Sequence, residues 1–317
     1  MRTSKHQETA IIDVNHNNMR IDKAAAALIP SFPRSKTAEA STLFYQNGKA
    51  VKKSKKIVTG DTIMVVWEHS WFAGIEGQEI PLTILYEDSD LLVIDKKQSM
   101  VVHPAVGNWS GTVVHALVHR YGDSFFQEEE NKEQEASDDE ISLRPGIVHR
   151  LDKETSGVMV IALHRQSHLH LSAQFKERQV EKYYIALVDG DVKEAKGTIE
   201  TLLVRQRRNR KLFTVAKTGK GKMARTEYEV LKRYPGCTLM RIHLITGRTH
   251  QIRVHMRHIG HPVVGDSLYA HKRSPFVDQQ LMLHALSLQL IHPTSKVVMR
   301  FTSPLPQRFK TLLASLR

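Results

Sequence analysis

Acidic, basic and hydroxyl side chains are concentrated in a segment between a Pro-Gly turn and an apolar run. The segment reads His149-Arg-Leu-Asp-Lys-Glu-Thr-Ser-Gly157, and the apolar residues 158–163 follow it. This order predicts a loop held by a rigid strand, a common location for catalytic groups. An ionised carboxylate can act as a nucleophile, and the neighbouring Arg150 favours the ionised form of Asp152. The residues alone leave open a catalytic carboxylate or an ordinary turn aspartate.

A second polar segment reads Thr246-Gly-Arg-Thr-His-Gln-Ile-Arg253. Its spacing predicts a helix over residues 249–258, capped by the hydroxyl of Thr249. The start of such a helix favours anions, and its first turns carry Gln251 and Arg253. Cysteine ligands are lacking nearby and no two-histidine-plus-carboxylate spacing of a known kind occurs, so we predict no metal. The histidines are expected to pack or to contact RNA: His250, His255, His258 and His261.

Positive charge is concentrated in residues 205–225, which carry nine Lys or Arg and no acid. Such a density suits the phosphates of an RNA backbone, and a solvated hairpin rim is the alternative. The predicted phosphate contacts are Arg207, Arg208, Arg210 and Lys211. Residues 127–140 have the opposite character, with eight acids and one lysine. We expect this acidic segment to be a disordered, solvated loop.

The composition indicates a protein with a polyanionic partner. The 317 residues include 46 Lys or Arg against 33 Asp or Glu, a formal net charge of +13, which is typical of nucleic-acid binding. The single cysteine, Cys237, excludes an intramolecular disulfide and favours a reducing compartment. No apolar run approaches the roughly 18 residues of a membrane span. We therefore expect a cytoplasmic protein without a membrane partner.

The punctuation by glycine and proline predicts two domains. Residues 1–18 are expected to be a flexible tail, and residues 19–67 a compact unit of two helices, the second over 35–45, followed by short strands. Residues 68–80 are predicted to form a linker. In residues 81–317, strands outnumber helices and follow one another in meander-like runs. The predicted fold class is therefore α+β, with a mostly antiparallel mixed sheet flanked by helices.

The two polar segments, HRLDKETSG and TGRTHQIRVHM with the later IGHPVVGD and a tyrosine, resemble the RluA/RluD family of pseudouridine synthases. Lys182-Tyr-Tyr-Ile-Ala-Leu-Val188 is similar to that family's K-x-Y-x-A segment, and residues 93–104 resemble its first motif. That motif usually has Pro and Gly where this chain has Lys97 and Ser99. The N-terminal unit resembles the small α/β S4-like RNA-binding domain in Arg20-Ile-Asp22, Arg34-Ser35-Lys36, Asn47-Gly48 and Gly60-Asp61, and a lysine-rich strand is expected after Asn47-Gly48.

The resemblance implies a catalytic role for three residues. Family members isomerise uridine in RNA to pseudouridine without a cofactor or metal. Asp152 would be the essential carboxylate, attacking either the sugar or the base. Tyr184 would stack on the flipped uracil and assist proton removal, and Arg253 would pair with Asp152. Arg150 would fill the gap left by the base, with His149, Arg248 and Gln251 as further RNA-binding or loop-organising residues.

The S4-like unit favours large-subunit ribosomal RNA, or a pre-ribosomal particle, as the partner of a monomeric enzyme. A transfer RNA pseudouridine synthase of the same family is one alternative. A ribosome-assembly protein that has lost catalysis is a second, which the presence of Asp152, Tyr184 and Arg253 disfavours. A glycoside hydrolase is a third, but Asp152 lacks an obvious carboxylate partner.

Overall fold

The chain forms two compact units in a computed structural model, one from the described residues up to Glu76 and one from those that begin at Gly77. The structure describes residues 4–29, 32, 37, 41–69, 75–104, 108–122, 146–206, 209, 212–216, 218–271, 274–276 and 278–316. No helix in these ranges is both long and apolar enough to cross a membrane. The acidic segment 127–140 lies outside them, so its predicted disorder stays a prediction.

In its described residues, the first unit consists of a four-stranded antiparallel sheet and one α-helix. Its sheet order is β1-β4-β2-β3. The ring of Phe32 packs edge-on against Phe44 and Trp67, with centroid distances of 6.0 and 5.2 Å, at the centre of the apolar core. The elements are β1 (Ser4–Ile11), α1 (Ile21–Leu28), β2 (Leu43–Gln46), β3 (Lys49–Val51) and β4 (Thr62–His69).

Two sequence expectations for this unit are wrong. Residues 1–18 were expected to be a flexible tail, yet β1 pairs with β4 along its whole length, from Ser4 opposite His69 to Ile11 opposite Thr62. The polar strand β1 is held by main-chain hydrogen bonds, which hydropathy does not report. The helix over 35–45 is wrong at its end, where Leu43–Gln46 pairs with β4.

The buried carboxylate of Asp61 fixes the turn between β2 and β3. It accepts hydrogen bonds from Asn47 Nδ2 at 2.7 Å, from Gln46 Nε2 at 2.5 Å and from the backbone N–H of Val58 at 2.8 Å. The bond from Val58 is the largest contribution to the lowered pKa of Asp61, with burial opposing it. The expected lysine-rich strand is shorter than predicted: β3 pairs with β2 only over Lys49–Val51, and the other lysines follow in the turn after it.

The second unit is a ten-stranded mixed sheet with the order β10-β9-β11-β12-β8-β13-β7-β6-β5, and β14 pairs with β13 off this path. The strands are β5 (Thr83–Glu87), β6 (Leu91–Lys96), β7 (Ser156–Ala162), β8 (Glu181–Asp189), β9 (Lys196–Arg205), β10 (Phe213–Val215), β11 (Lys222–Tyr234), β12 (Cys237–Leu244), β13 (Leu283–Ile291) and β14 (Val298–Thr302). The helices are α2 (Val113–Tyr121), α3 (Arg165–Glu177), α4 (Gln251–His258) and α5 (Gln307–Ser315). The predicted α+β class is confirmed.

One parallel contact joins the two halves of this sheet. Strand β13 pairs with β7 only at Ser156 and Gly157, whereas the other paired strands of the described sheet are antiparallel. Gly157 has φ of +118°, and a Cβ there would lie 2.2 Å from the carbonyl oxygen of Ala285. Only glycine permits this approach, and the polar segment therefore enters the sheet beside its central strands.

Candidate active site

A cavity of about 290 Å³ lies above the central strands of the second unit. Its walls come from the loop before β7, from Phe175 of α3, from β8, and from residues 247–253 at the start of α4. The predicted site residues that line it are His149, Arg150, Asp152, Tyr184, Arg248, Gln251 and Arg253. The two polar segments and β8 thus meet at one cavity.

Asp152 presents a carboxylate with few internal partners. Its side chain is 19% exposed, and its nearest cation is Arg253, whose Nη1 lies 3.5 Å from Asp152 Oδ2. His250 Nε2 lies 4.0 Å from the same oxygen. The backbone carbonyl of Asp152 accepts from the N–H of Thr155 at 3.1 Å, so the turn itself is tight. The largely buried carboxylate therefore lines the cavity with Arg253 and His250 as its near neighbours.

The principal partner of Arg253 is Asp266. Arg253 Nε and Nη2 donate to the two oxygens of Asp266 at 2.7 and 2.8 Å, a buried bidentate pair. Burial works to lower the pKa of Arg253, but the hydrogen bonds and charge of Asp266, with the charge of Asp152, leave that pKa raised. Arg253 thus stays cationic and offers its remaining Nη1 to Asp152. The predicted pairing with Asp152 holds only as this longer contact.

Asp266 is held in place by its own turn. Its Oδ1 also accepts from the backbone N–H groups of Leu268 and Tyr269 at 2.9 and 3.0 Å. The preceding Gly265 has φ of +72°, and a Cβ there would lie 2.2 Å from the carbonyl oxygen of Gln280. The glycine of the Gly-Asp dipeptide allows a tight turn, and this turn directs the Asp266 carboxylate toward Arg253.

A buried lysine, Lys96, connects the Asp152 loop to the residues that follow β6. Lys96 Nζ donates to the carbonyl oxygens of Lys97, Met100 and Lys153 at 2.9, 2.8 and 3.2 Å. Burial lowers the pKa of Lys96 to about 7, with the charge of Asp152 acting in the opposite direction. The same region includes Ser99, whose φ of +65° is a conformation that glycine adopts more readily. The first motif therefore keeps its turn without the usual glycine.

Strand β8 contributes two side chains to the cavity, Lys182 and Tyr184, which alternate with the outward-facing Tyr183. Tyr184 is 7% exposed. Burial, with the charge of Asp152, raises the pKa of its hydroxyl far above the ordinary value. The phenol is therefore protonated at neutral pH and offers a ring face and a hydrogen-bond donor.

His149 organises the loop. Its Nε2 accepts from the backbone N–H of Val160 at 3.0 Å, and its ring stacks on Phe175 with centroids 4.7 Å apart. Burial, together with the charge of Lys182, lowers the pKa of His149 to about 3, so the ring is neutral. A neutral ring tied to β7 and α3 fixes the start of the polar segment.

His250 begins α4 with an unusual backbone. Its φ is +56° and no side-chain cap is formed, so the predicted cap at Thr249 is wrong. The Tyr269 hydroxyl accepts from the N–H of Phe213 at 2.8 Å and forms a second hydrogen bond with His250 Nδ1 at 2.9 Å. The lowered pKa of His250, due first to burial, keeps the ring neutral. Its other nitrogen, Nε2, lies 4.0 Å from Asp152 Oδ2.

Gln251 and Arg248 differ in their freedom to contact RNA. The Gln251 side chain accepts from Thr246 Oγ1 and donates to the carbonyl of Arg225 and to Thr226 Oγ1, at 2.8 to 3.0 Å. The prediction that this buried amide binds RNA is therefore not supported, because its donors are used internally. Arg248 is exposed and donates through Nε to the carbonyl of Met223 at 3.1 Å, which leaves its Nη groups for a ligand.

Arg150 is exposed at the cavity rim, and no hydrogen bond or ion pair involves it among the described residues. The hairpin that carries the basic segment begins beside the cavity. The guanidinium of Arg205 lies 5.2 Å from the ring centroid of Phe213, and that ring is 5.8 Å from the His250 ring. The four predicted phosphate contacts lie outside the described residues: Arg207, Arg208, Arg210 and Lys211.

One metal-like cluster occurs in the described part of the chain, away from the cavity lining. Asp88, Asp90 and His292 place their ligand atoms within 4.8 Å of one another. Their oxygens are used by internal hydrogen bonds, including 2.8 Å from His292 Nε2 and Tyr86 to Asp88 and 2.7 Å from Thr294 to Asp90. The cluster ties the β5–β6 turn to the end of β13 and needs no metal to do so.

Comparison with known proteins identifies the family of the chain. The family described as RNA pseudouridylate synthase matches residues 90–258, which contain both polar segments and β8. The chain belongs to the RNA pseudouridylate synthase family. It is 41% identical to an uncharacterized RNA pseudouridine synthase of Aquifex aeolicus over 97% of each chain. It is 36% identical to the ribosomal large subunit pseudouridine synthase D of Escherichia coli K12, over 98% of this chain and 94% of that one.

A solved structure is also similar. The human RNA pseudouridylate synthase domain containing 1 superposes with a TM-score of 0.55 at 26% identity, covering 76% of this chain and 96% of its own. The predicted resemblance to the family is confirmed. The chain is thus an RNA pseudouridine synthase, an isomerase that converts uridine to pseudouridine.

Three residues of this synthase site were not assigned a role from the sequence. Asp266 and Tyr269 belong to the motif that contains IGHPVVGD and the later tyrosine, but the motif does not reveal which carboxylate accepts hydrogen bonds from Arg253. Lys182 is the lysine of the K-x-Y-x-A segment. Because side chains two residues apart on a strand face the same side, its spacing from Tyr184 could have placed it in the cavity. Each of these residues depends on contacts between segments far apart in the sequence, which local spacing does not report.

Proposed function

We propose that this synthase modifies large-subunit ribosomal RNA and that Asp152 is its catalytic carboxylate. The observation that carries the catalytic assignment is the position of Asp152, in the cavity lining and 3.5 Å from the buried cation Arg253. A carboxylate in this position can act as a nucleophile toward a nucleotide bound in the cavity. The ribosomal assignment is supported by relatives that bear the ribosomal large subunit name and align along almost the whole chain.

The reaction breaks the bond between C1′ of ribose and N1 of uracil and forms a bond from C1′ to C5. The C5 proton leaves and N1 gains a proton, so atoms and charge balance without an oxidant. Asp152 would attack either C1′ or the base, and both routes use the same carboxylate. The position of Tyr184 in the cavity lining allows its ring to stack on uracil, and its raised pKa opposes its use as a free base. That pKa argues against the expectation that Tyr184 assists proton removal.

The target nucleotide must leave its stack to reach a carboxylate within a cavity. We propose that Arg150 enters the vacated position, because its exposed guanidinium has no internal partner among the described residues. Arg248 would contact the adjoining backbone with its free Nη groups. Phosphate contacts by the basic segment remain part of this proposal, supported by the charge of residues 205–225.

Pseudouridine mapping would test the substrate assignment. RNA from cells with and without the gene would be compared at single-nucleotide resolution, with complementation by wild type and by Asp152→Asn. We expect one or more pseudouridines to disappear from large-subunit ribosomal RNA and to return only with wild type. Loss confined to transfer RNA would favour the alternative substrate within the same family and would contradict the ribosomal assignment.

We further propose that the first unit binds RNA as an S4-like domain and that the lysines in β3 and in the turn after it supply the contacts. Lys49, Lys52, Lys53 and Lys56 are all exposed around β3, where their ammonium groups can reach phosphates. The main chain here is fixed: the N–H of Asp22 donates to the carbonyl of Lys53 at 3.4 Å. The lysine side chains are thus presented on a defined surface.

Replacing Lys52, Lys53 and Lys56 by Gln should weaken RNA binding without unfolding the unit, because all three side chains are solvent-exposed. Three lost contacts would flatten the slope of log affinity against log salt by about two to three units. The charge-matched control replaces the exposed Lys176, Lys193 and Lys310 by Gln. Equal slopes of log affinity against log salt for the two triple variants would contradict a specific role for the lysines that follow β3.

A further inference from the structure

Lys182 is a buried cation inside the catalytic cavity. It lies on β8 two residues before Tyr184, and both side chains line the cavity that holds Asp152. Only 8% of Lys182 is exposed. Its Nζ lies 5.8 Å from the centroid of the Phe175 ring, whose stacking on His149 fixes the cavity wall. The ammonium therefore occupies a defined position.

The ammonium of Lys182 has no anionic or carbonyl partner among the residues that the structure describes. Within the described ranges it forms no hydrogen bond and no ion pair, although charged and polar side chains lie around it. Lys96 provides an internal comparison, because its buried ammonium donates to three backbone carbonyls. The fold therefore satisfies one buried lysine completely and leaves the other without an acceptor.

An unpaired buried ammonium costs folding free energy, since burial removes water without supplying an acceptor. The cost is evident in the pKa of Lys182, which burial lowers to about 8 with the charge of Arg178 acting in the same direction. Among the described residues that line the cavity, Asp152 is the single acid, and Arg253 is its nearest cation. The two other arginines of the lining, Arg150 and Arg248, are exposed to solvent, so Lys182 is the buried cation that is left without an acid.

We propose that Lys182 binds an anionic oxygen of the target nucleotide. This inference rests on the proposed function of the Asp152 site. Two oxygens of the same chemistry could fill the position. One belongs to the phosphate beside the flipped nucleotide. The other is a uracil carbonyl oxygen, which gains negative charge when the N-glycosidic bond breaks and its electron pair stays with the base.

The two oxygens predict different kinetic effects. A phosphate carries its charge before and after reaction, so Lys182 would contribute to RNA affinity. A uracil oxygen acquires its charge only during bond cleavage and loses it when C5 bonds to C1′ and N1 is protonated. Lys182 would then stabilise the transition state more than the bound substrate and would contribute to the rate.

The test uses the full chain with Lys182→Met, which retains an apolar stem against Phe175, and Lys182→Arg, which retains the charge. RNA affinity across a salt series and single-turnover rate at saturating RNA would be measured for each. Lys176→Met is the matched control, because Lys176 is an exposed lysine on α3. Thermal unfolding would verify the fold, and Lys182→Gln would replace the Met variant if that one fails to fold.

For a phosphate contact we expect Lys182→Met to weaken binding about tenfold and to reduce the salt slope by about 0.7–0.9. For a uracil oxygen we expect the saturated rate to fall by about 10²-fold or more with affinity nearly unchanged. Either loss supports the inference, and Lys182→Arg should recover part of it. Affinity and saturated rate both within twofold of wild type would overturn it.

Failure of this inference differs from failure of the proposed site. Asp152→Asn would be assayed beside the lysine variants. Normal turnover by Asp152→Asn would remove the catalytic assignment itself. An inactive Asp152→Asn together with a fully active Lys182→Met would leave the site intact and reject only the role of Lys182.

Discussion

Replacing Asp152 by Asn is expected to reduce single-turnover isomerisation by at least about 10⁴-fold. The amide is nearly isosteric with the carboxylate, but it is a very poor nucleophile. RNA affinity should stay within about tenfold of wild type, because Arg150, Arg248 and Lys182 are unchanged. Single-turnover assays at saturating RNA and a parallel binding titration would separate the two effects.

Glu154→Gln is the matched control for this experiment. Glu154 lies two residues from Asp152 on the same loop, and its Oε2 accepts from Ser99 Oγ at 3.2 Å. We expect this variant to retain activity within about tenfold, since its carboxylate does not line the cavity. Mass spectrometry would exclude deamidation of the Asp152→Asn variant. Substantial turnover by that variant with its amide intact would show that another group carries the chemistry.

The sequence predicts the loop that bears Asp152 because that signal is local. A polar run followed by an apolar strand fixes both the exposure of the loop and the position where it ends. The glycine at position 157 is visible in the sequence. The reason for it is visible only in the structure, where a side chain at this position would collide with the carbonyl of Ala285. The order of the motifs along the chain matches that of the family, and this match predicts that β8 and α4 belong to the same domain as the loop.

The pairing of charges could not be read from the sequence. Arg253 has two carboxylates within reach, and spacing does not distinguish the 2.7 Å bond to Asp266 from the 3.5 Å contact with Asp152. Gln251 illustrates the same limit, since a polar residue at a helix start was expected to meet RNA. Its amide instead bonds to β11 residues far away in sequence.

The missed strand β1 has a different cause. Its residues, Ser-Lys-His-Gln-Glu-Thr-Ala-Ile, lack an apolar alternation, so the pattern of a half-buried strand is absent. The strand forms because β4 offers a free row of main-chain donors and acceptors along Thr62–His69. Such pairing depends on the partner strand, which no window of local sequence contains.

Replacing Arg253 by Met is expected to lower the single-turnover rate by about 10³-fold or more. The substitution removes the cation that contacts the Asp152 carboxylate at 3.5 Å and helps to position it for reaction. It also leaves the carboxylate of Asp266 buried without its bidentate partner, which costs about 3–5 kcal/mol of stability. Activity and the free energy of unfolding must therefore be measured on the same samples.

The double variant Arg253→Met with Asp266→Asn separates the two consequences. The neutral amide that replaces the Asp266 carboxylate no longer carries an orphaned charge, and its oxygen can still accept from the backbone N–H groups of Leu268 and Tyr269. We expect most of the lost stability to return while the rate stays low, because Asp152 still lacks its cation. In that case the effects of the two substitutions on stability would be non-additive, whereas the rate would depend on Arg253 alone. Recovery of the rate together with stability would instead mean that Arg253 acts only by holding α4 and the Asp266 turn together, and the 3.5 Å contact with Asp152 would carry no chemistry.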